Sequence, residues 1–178
     1  MISHISTGLI RVDKTEIDSK FTEMLGMCGQ YFQADRSYLF MIAKSSRSMS
    51  CKHKWGNTAA SSAPDLTSDL VAETIFHLAA DHDSHEPMRV NNVTTLGVRD
   101  PSGKIYQSLD QAGAKSLMVI PIMSKTSIIG FWWLDTVDED KTWTDDHAKQ
   151  LGVIANILAD TLAKVDAERE IYQMALYD

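Results

Sequence analysis

Cysteine is scarce: Cys28 and Cys51 are the only two in 178 residues, and helix-like and strand-like segments separate them. That spacing supplies neither a disulfide framework nor a metal-ligand cluster, and it fits a reducing, cytoplasmic compartment. Long apolar runs are missing too. The longest, Leu117 to Met123, is far short of the roughly 20 residues that span a bilayer. Met1 to Arg11 lacks the basic start and apolar stretch of a secretory signal, so no membrane association is expected. Positive charge is in deficit, with 17 Lys and Arg against 24 Asp and Glu, a formal net charge of -7. Such a chain presents no electrostatic footprint for a phosphate backbone, and nucleic acid is excluded as an expected partner. Proline is rare and none follows Thr144, where Gly152 is also the only glycine.

That last absence leaves room for a long helix. Thr144 suits an N-cap, and Asp145 and Asp146 place carboxylates at the positive end of the helix dipole. From Thr144 to Tyr177 an unbroken helix would be on the order of 50 Å long, whereas a small domain is roughly 30 Å across. The helix is therefore expected to leave the domain that begins it and to act as a connector. The remainder is ordinary globular sequence, 44% hydrophobic and 23% charged, which predicts one domain with a real core.

Along the chain, Met1 to Val12 read as an entering arm. Asp13 and Glu16 resemble a capping arrangement ahead of Ile17, Phe21, Met24, Leu25, Cys28 and Phe32, which share one helical stripe. Ser37 to Ala43 and Met49 to Trp55 predict a hairpin. Leu66 to Ala80, behind Thr67, predict a second helix. Met88 to Val93 predict a short strand, and Ile105 to Ala112 a helix ended by Gly113 in the left-handed position. Ser116 to Met123 and Ile128 to Val137 predict a second hairpin, apolar at odd and even positions alike, so both faces of the sheet should be covered. The predicted fold class is α+β, a central antiparallel sheet with helices on both faces and a long C-terminal helix.

Five stretches in this order carry a resemblance: DRSYLF (Asp35 to Phe40), HKW (His53 to Trp55), GAKSLMVIPI (Gly113 to Ile122), GFWWLDTV (Gly130 to Val137) and KTW (Lys141 to Trp143). Together they resemble a GAF domain, the small-molecule sensor module, of the type found ahead of GGDEF (diguanylate cyclase) domains in bacterial cyclic-di-GMP signalling proteins. The final AEREIYQMALYD resembles the helix that leads directly into a GGDEF domain. The resemblance implies an arm at 1–12, a sensory domain at 13–163 and an exit helix at 164–178 leading to a downstream catalytic domain in the same polypeptide. It credits no catalysis to this chain. Family members often carry glycine at Trp133 and a smaller aliphatic at Trp132. Strand alternation sends these indoles to opposite faces, so at least one enters the face where the family keeps its ligand.

Candidate ligand contacts are His53 and Trp55, each equally readable as packing, Tyr106, which lines the cavity or packs, and Trp133, which reads first as core and second as a ligand platform; the cofactor is unknown. Arg89 and Arg99 could meet an anion, and the run DHDSHE (Asp81 to Glu86) reads as solvated loop rather than a metal site. No nucleophile, base and orienter can be assembled. On the exit helix Leu151, Leu158, Val165 and Tyr172 repeat every seven residues, interleaved with Ala155 and Leu162, which predicts a two-stranded coiled-coil seam and a homodimer; Ile154 and Ile157 lie off it and face the sheet. Two other functions compete with a sensor: a structural dimerisation module whose pocket an indole has filled, and a thiol-dependent reductase of the same family, which requires reactive cysteines.

Overall fold

A computed structural model describes residues 3, 4, 7, 16–79, 85–98 and 100–177. Helix α1 (Ile17–Tyr31) leads into the hairpin β1 (Arg36–Ile42) and β2 (Met49–Gly56), then a 3-10 turn (Ala59–Ser62) and α2 (Ser68–Ala79). Next come β3 (Met88–Val90), a 3-10 helix (Val93–Val98), α3 (Lys104–Gln111), the hairpin β4 (Ser116–Ser124) and β5 (Ser127–Thr136), and α4 (Asp145–Tyr177). The five strands form one sheet, β2-β1-β5-β4-β3, and every paired neighbour is antiparallel.

Strand alternation divides the apolar side chains between two cores. Leu39, Met118, Ile120, Trp132 and Leu134 meet the α1 stripe and, from α4, Leu151, Ile154 and Leu158. Tyr38, Phe40, Leu117, Val119, Phe131 and Trp133 meet α2, α3 and the second 3-10 helix through Val71, Ile75, Leu96 and Leu109. The register explains the split, because Trp132 lies opposite Leu39 and Ile120, while Trp133 lies opposite Tyr38 and Val119. All six residues of the α1 stripe are buried, each apolar side chain contributing about 1.5–3 kcal/mol on transfer from water.

The ends of the helices follow their local chemistry. The Leu70 amide donates to the Thr67 hydroxyl at 3.1 Å, and the His147 amide to that of Thr144 at 3.2 Å, two N-caps of the expected kind. Gly113 ends α3 at φ 73, a left-handed conformation that a side chain would strain. The short strand stops at Val90, because Val93–Val98 coil into the 3-10 helix. Asp13 lies outside the described residues.

One expectation is corrected. Leu151, Ala155 and Leu158 are not a seam for a second helix: they are 0%, 2% and 0% exposed, packed on the domain's own sheet with Ile154. The reason is periodicity, since over two turns a seven-residue repeat and a 3.6-residue amphipathic stripe mark the same positions. Leu162 and Val165 are partly buried at the margin of this core, and from Ile171 onward the large apolar residues are exposed.

Candidate functional site

The two faces of the sheet offer two different environments. On the α2–α3 side a buried ion pair organises the space around Trp133. Arg36 donates through Nε and Nη2 to the two Asp135 oxygens at 2.8 and 2.6 Å, and the Trp133 indole N–H donates to Asp135 at 3.2 Å. The remaining guanidinium nitrogen donates to the carbonyls of Pro64 (2.7 Å) and Ala112 (2.9 Å). One arginine thus ties β1 to β5, to the approach to α2 and to the end of α3. Burial pushes the Asp135 carboxyl up, and the bonds and charge of Arg36 pull against it. Tyr38, pushed up to about 12 mainly by burial, reaches Asp65 at 3.4 Å.

The same layer is capped by Asp100. Its carboxylate accepts the Ser102 hydroxyl at 2.6 Å and the Ile105 amide at 2.7 Å, and these bonds, the hydroxyl foremost, hold it below the ordinary carboxylate range. Asp100 thereby fixes the start of α3 and the position of Tyr106, which packs against this core. Trp133 is fully buried. An indole, hydrogen-bonded to a carboxylate that is itself held by arginine, is a rigid filling rather than a mobile lid.

On the α1–α4 side lie His53 and Trp55. Their β1 partners are Leu39 and Ser37, so both point away from Trp133. The Trp55 indole lies across Gly26 and Gly29 of α1: a Cβ on Gly29 would stand 2.1 Å from its ring, and one on Gly26 3.0 Å. Those glycines make the notch that Trp55 occupies. The imidazole of His53 stacks tilted on Phe21 with centroids 5.1 Å apart and stands 3.7 Å from Asp18. Burial lowers its pKa from 6.5, assisted by Lys52 and opposed by Asp18. A half-open groove of about 1310 Å³ runs beside it between α1 and α4.

The four candidate contacts therefore do not converge. Tyr106 and Trp133 share one face, His53 and Trp55 the other, and no single cavity can use all of them. Arg89 is committed to the start of α4, pairing with Asp145 at 2.7 Å and donating to the Trp143 carbonyl at 3.3 Å. Arg99 and residues 81–84 of the DHDSHE run lie outside the described residues, and among the described residues no group of His, Cys, Asp and Glu could hold a metal. Cys28 is buried, and desolvation raises its thiol to about 12, so it is no nucleophile near neutral pH; Cys51 is exposed. Among the described residues no helix is long and apolar enough to cross a membrane.

Sequence reading missed the Arg36–Asp135 pair, although both residues sit inside the quoted stretches DRSYLF and GFWWLDTV. The signal was an arginine flanking an apolar strand and an aspartate ending another, charges that cannot be buried alone. Asp35 completes the junction by accepting the amides of Val137 (2.8 Å) and Asp138 (3.2 Å) and the side chain of Asn57 (2.7 Å). The KTW stretch is equally structural: the Trp143 indole N–H donates to Ser116 at 3.1 Å, pinning the approach to α4 onto β4.

Five antiparallel strands covered by helices on both faces, with a long terminal helix on one of them, define a class of α+β domain. The GAF domain model matches residues 16–162, and the chain belongs to the GAF family. It is similar in structure to the phycoerythrobilin-bound GAF domain of a cyanobacterial phytochrome, with a TM-score of 0.72, 16% identity, and 94% and 95% of the two chains covered. It is also similar to a domain of a putative two-component sensor histidine kinase protein from Sinorhizobium meliloti 1021, at 0.64, 18%, and 91% and 99%. A third similar structure is the GAF domain of an Acinetobacter phosphoenolpyruvate-protein phosphotransferase, at 0.64, 10%, and 93% and 92%. At these identities the likeness is one of fold. No match was found among curated protein sequences.

Proposed function

We propose that this GAF domain is the regulatory module of a bacterial signalling protein, and that it controls a downstream diguanylate cyclase domain of the GGDEF type through paired α4 helices. The observation that carries the reading is the far end of α4. The helix runs 33 residues without a break, and Ile171, Met174 and Leu176 are 63–66% exposed, an apolar surface that the described residues leave open. A second α4 supplies the matching surface, with pairing confined to the last turns because the earlier ones are committed to the sheet. The resemblance of AEREIYQMALYD to the run-in of a GGDEF domain supplies the downstream partner. A ligand or partner favouring one setting of α4 on the sheet would shift how the attached domains face each other. Sedimentation tests the pairing. The chain is expected to be dimeric at high micromolar concentration, and Tyr172→Glu with Leu176→Glu to make it monomeric with unfolding unchanged. A wild-type monomer would overturn the reading.

Trp133 favours a second reading. Its indole fills the α2–α3 face and is bonded to Asp135, which suits a dimerisation module without a small molecule on that side. Native mass spectrometry of freshly purified protein separates the two: a stoichiometric co-purified compound supports the sensor, and its absence together with no thermal shift across nucleotides and metabolites supports the module.

A further inference from the structure

An open cleft of about 700 Å³ lies where α1 ends and β2 runs out, within the roughly 300–1,000 Å³ of common small-molecule sites. Its walls are fixed. Trp55 is seated on Gly26 and Gly29, and Asn57 donates its amide to Asp35 at 2.7 Å while accepting the Ala60 N–H at 3.1 Å. Asp35, the only charged residue in the lining, also accepts the amides of Val137 and Asp138. Between these walls stand the exposed side chains of Gln30, Gln33, Thr58 and Ser61. Their amides and hydroxyls make no hydrogen bond among the described residues.

Gln33 is not required by the turn it occupies. Helices α1 and α3 end in the same two-bond motif: the Ala34 and Gln33 amides donate to the Gly29 and Gln30 carbonyls at 2.8 and 3.2 Å, as those of Ala114 and Gly113 do to Leu109 and Asp110, both at 2.9 Å. The left-handed residue is Gly113 at φ 73 in α3 but Gln33 at φ 55 in α1. A side chain strains that conformation, so the turn gains nothing from a glutamine. The cleft gains an amide held at its lip.

The geometry points to a binding site for a neutral sugar, one ring against Trp55 and its hydroxyls on Gln30, Gln33 and Ser61. A sugar ring offers an apolar C–H face to an indole, and hydroxyls at its edge that both donate and accept, as the side-chain amides and hydroxyls here do. No Lys, Arg or His lines the cleft and the Asp35 oxygens are already bonded, so nothing there selects an ionic ligand. A planar base would find one aromatic wall and no second ring to sandwich it. The lining includes no residue of α4, and the site does not depend on the helix-pairing reading.

The test is a nuclear magnetic resonance titration of the nitrogen-labelled full chain with maltose. Saturable binding of millimolar affinity is expected, the scale of a few neutral hydrogen bonds, with the largest shifts at the side-chain amides of Gln30 and Gln33 and the indole N–H of Trp55. Gln33→Gly should raise the thermal midpoint by roughly 2 °C, because the turn loses its strained side chain, and yet weaken maltose about fivefold. Gln30→Ala with Ser61→Ala, both at exposed positions, should weaken it by at least as much, and glucuronate should bind less tightly than glucose. Absence of saturation, wild-type affinity in either variant, tighter binding of adenosine than of maltose, or shifts centred on Met41 and Leu162 in the groove between α1 and α4 would overturn the site.

Discussion

Trp132 and Trp133 are neighbours in the chain, yet they belong to differently built halves of the molecule. Trp132 faces the long helices α1 and α4 and donates its indole N–H to the Ser37 hydroxyl at 2.9 Å, a neutral bond inside a core made mainly by apolar contact. Trp133 faces the short helices α2 and α3 and donates to a carboxylate within a buried ion pair. The difference follows from what covers each face. A long helix brings its own satisfied backbone and a continuous stripe, so apolar burial is enough. The α2–α3 layer is assembled from short helices, a 3-10 segment and the connections between them, whose carbonyls need partners; Arg36 provides them at Pro64 and Ala112. The α1–α4 face closes by packing and remains open at one end, whereas the α2–α3 face adds a buried ion pair and its hydrogen bonds to an apolar core.

The sharpest way to break this comparison is to remove the charge from one side of the pair. Arg36→Met leaves Asp135 buried without its partner and also frees two carbonyls. A loss of about 3–5 kcal/mol is expected, read as a lower urea midpoint, whereas the double variant Arg36→Met, Asp135→Leu should recover much of it. A small effect of Arg36→Met alone would mean that α2 and α3 are held by apolar packing, as the other face is.

The counterpart on the α1–α4 face is steric. Gly29→Ala would place a methyl 2.1 Å from the Trp55 ring, so the indole must move or α1 must lift. Overpacking of this kind costs about 1–3 kcal/mol, and a red shift in tryptophan emission should accompany it. Gly26→Ala, with its nearest ring atom at 3.0 Å, should cost less. If the two were equal, Trp55 would not be seated in the notch.

Most of the fold was legible because its signals are local. The α1 stripe, the Thr67 and Thr144 caps, the Gly113 terminator and both hairpins depend on residues near one another in the chain. The candidate site was less legible because its logic is tertiary. Alternation separated Trp132 from Trp133, but only strand register puts His53 and Trp55 with Trp132 and away from Tyr106. Neither Gly26 nor Gly29 announces that an indole 26 or more residues later will lie on it. Only the first half of the expected α4 seam is displaced, and for a physical reason: Leu151 and Leu158 satisfy a coiled-coil repeat and a sheet-facing stripe together, and the nearer surface took them.

Capping of α4 offers a smaller and more local perturbation of the same face. The Thr144 hydroxyl accepts the His147 amide, and the His147 ring accepts the Thr144 amide at 3.2 Å in return. Thr144→Ala should cost about 1 kcal/mol, with the loss confined to the first turn of α4 in hydrogen exchange. Spread of the faster exchange into β4 would show that the helix start and the sheet unfold together.

The smallest expected effect separates the faces by pH. Burial holds the His53 pKa below 6.5, so the folded chain prefers the neutral ring, and the unfolded chain binds the proton more readily between the folded value and about 6.5. The contribution of His53 is therefore complete above about pH 6.5 and is lost as pH falls from there through the folded value. Asp18 opposes the effect by pairing with the protonated ring, and Lys52 reinforces it. His147 is shifted in the same direction, first by burial, so the wild-type profile sums both. His53→Gln should flatten the decline only in part, measured as thermal midpoint against pH from 7.5 to 5, and the remainder should vanish with His147→Gln. On the α2–α3 face Arg36→Met should displace the curve downward and also tilt it: without the guanidinium, little opposes the burial that raises the Asp135 carboxyl, so the folded variant takes up a proton more readily than the unfolded chain and part of the loss is recovered as pH falls. A parallel curve would mean that Asp135 stays ionised without Arg36, held by the Trp133 indole N–H alone, and that the charge in that half does not depend on the pair.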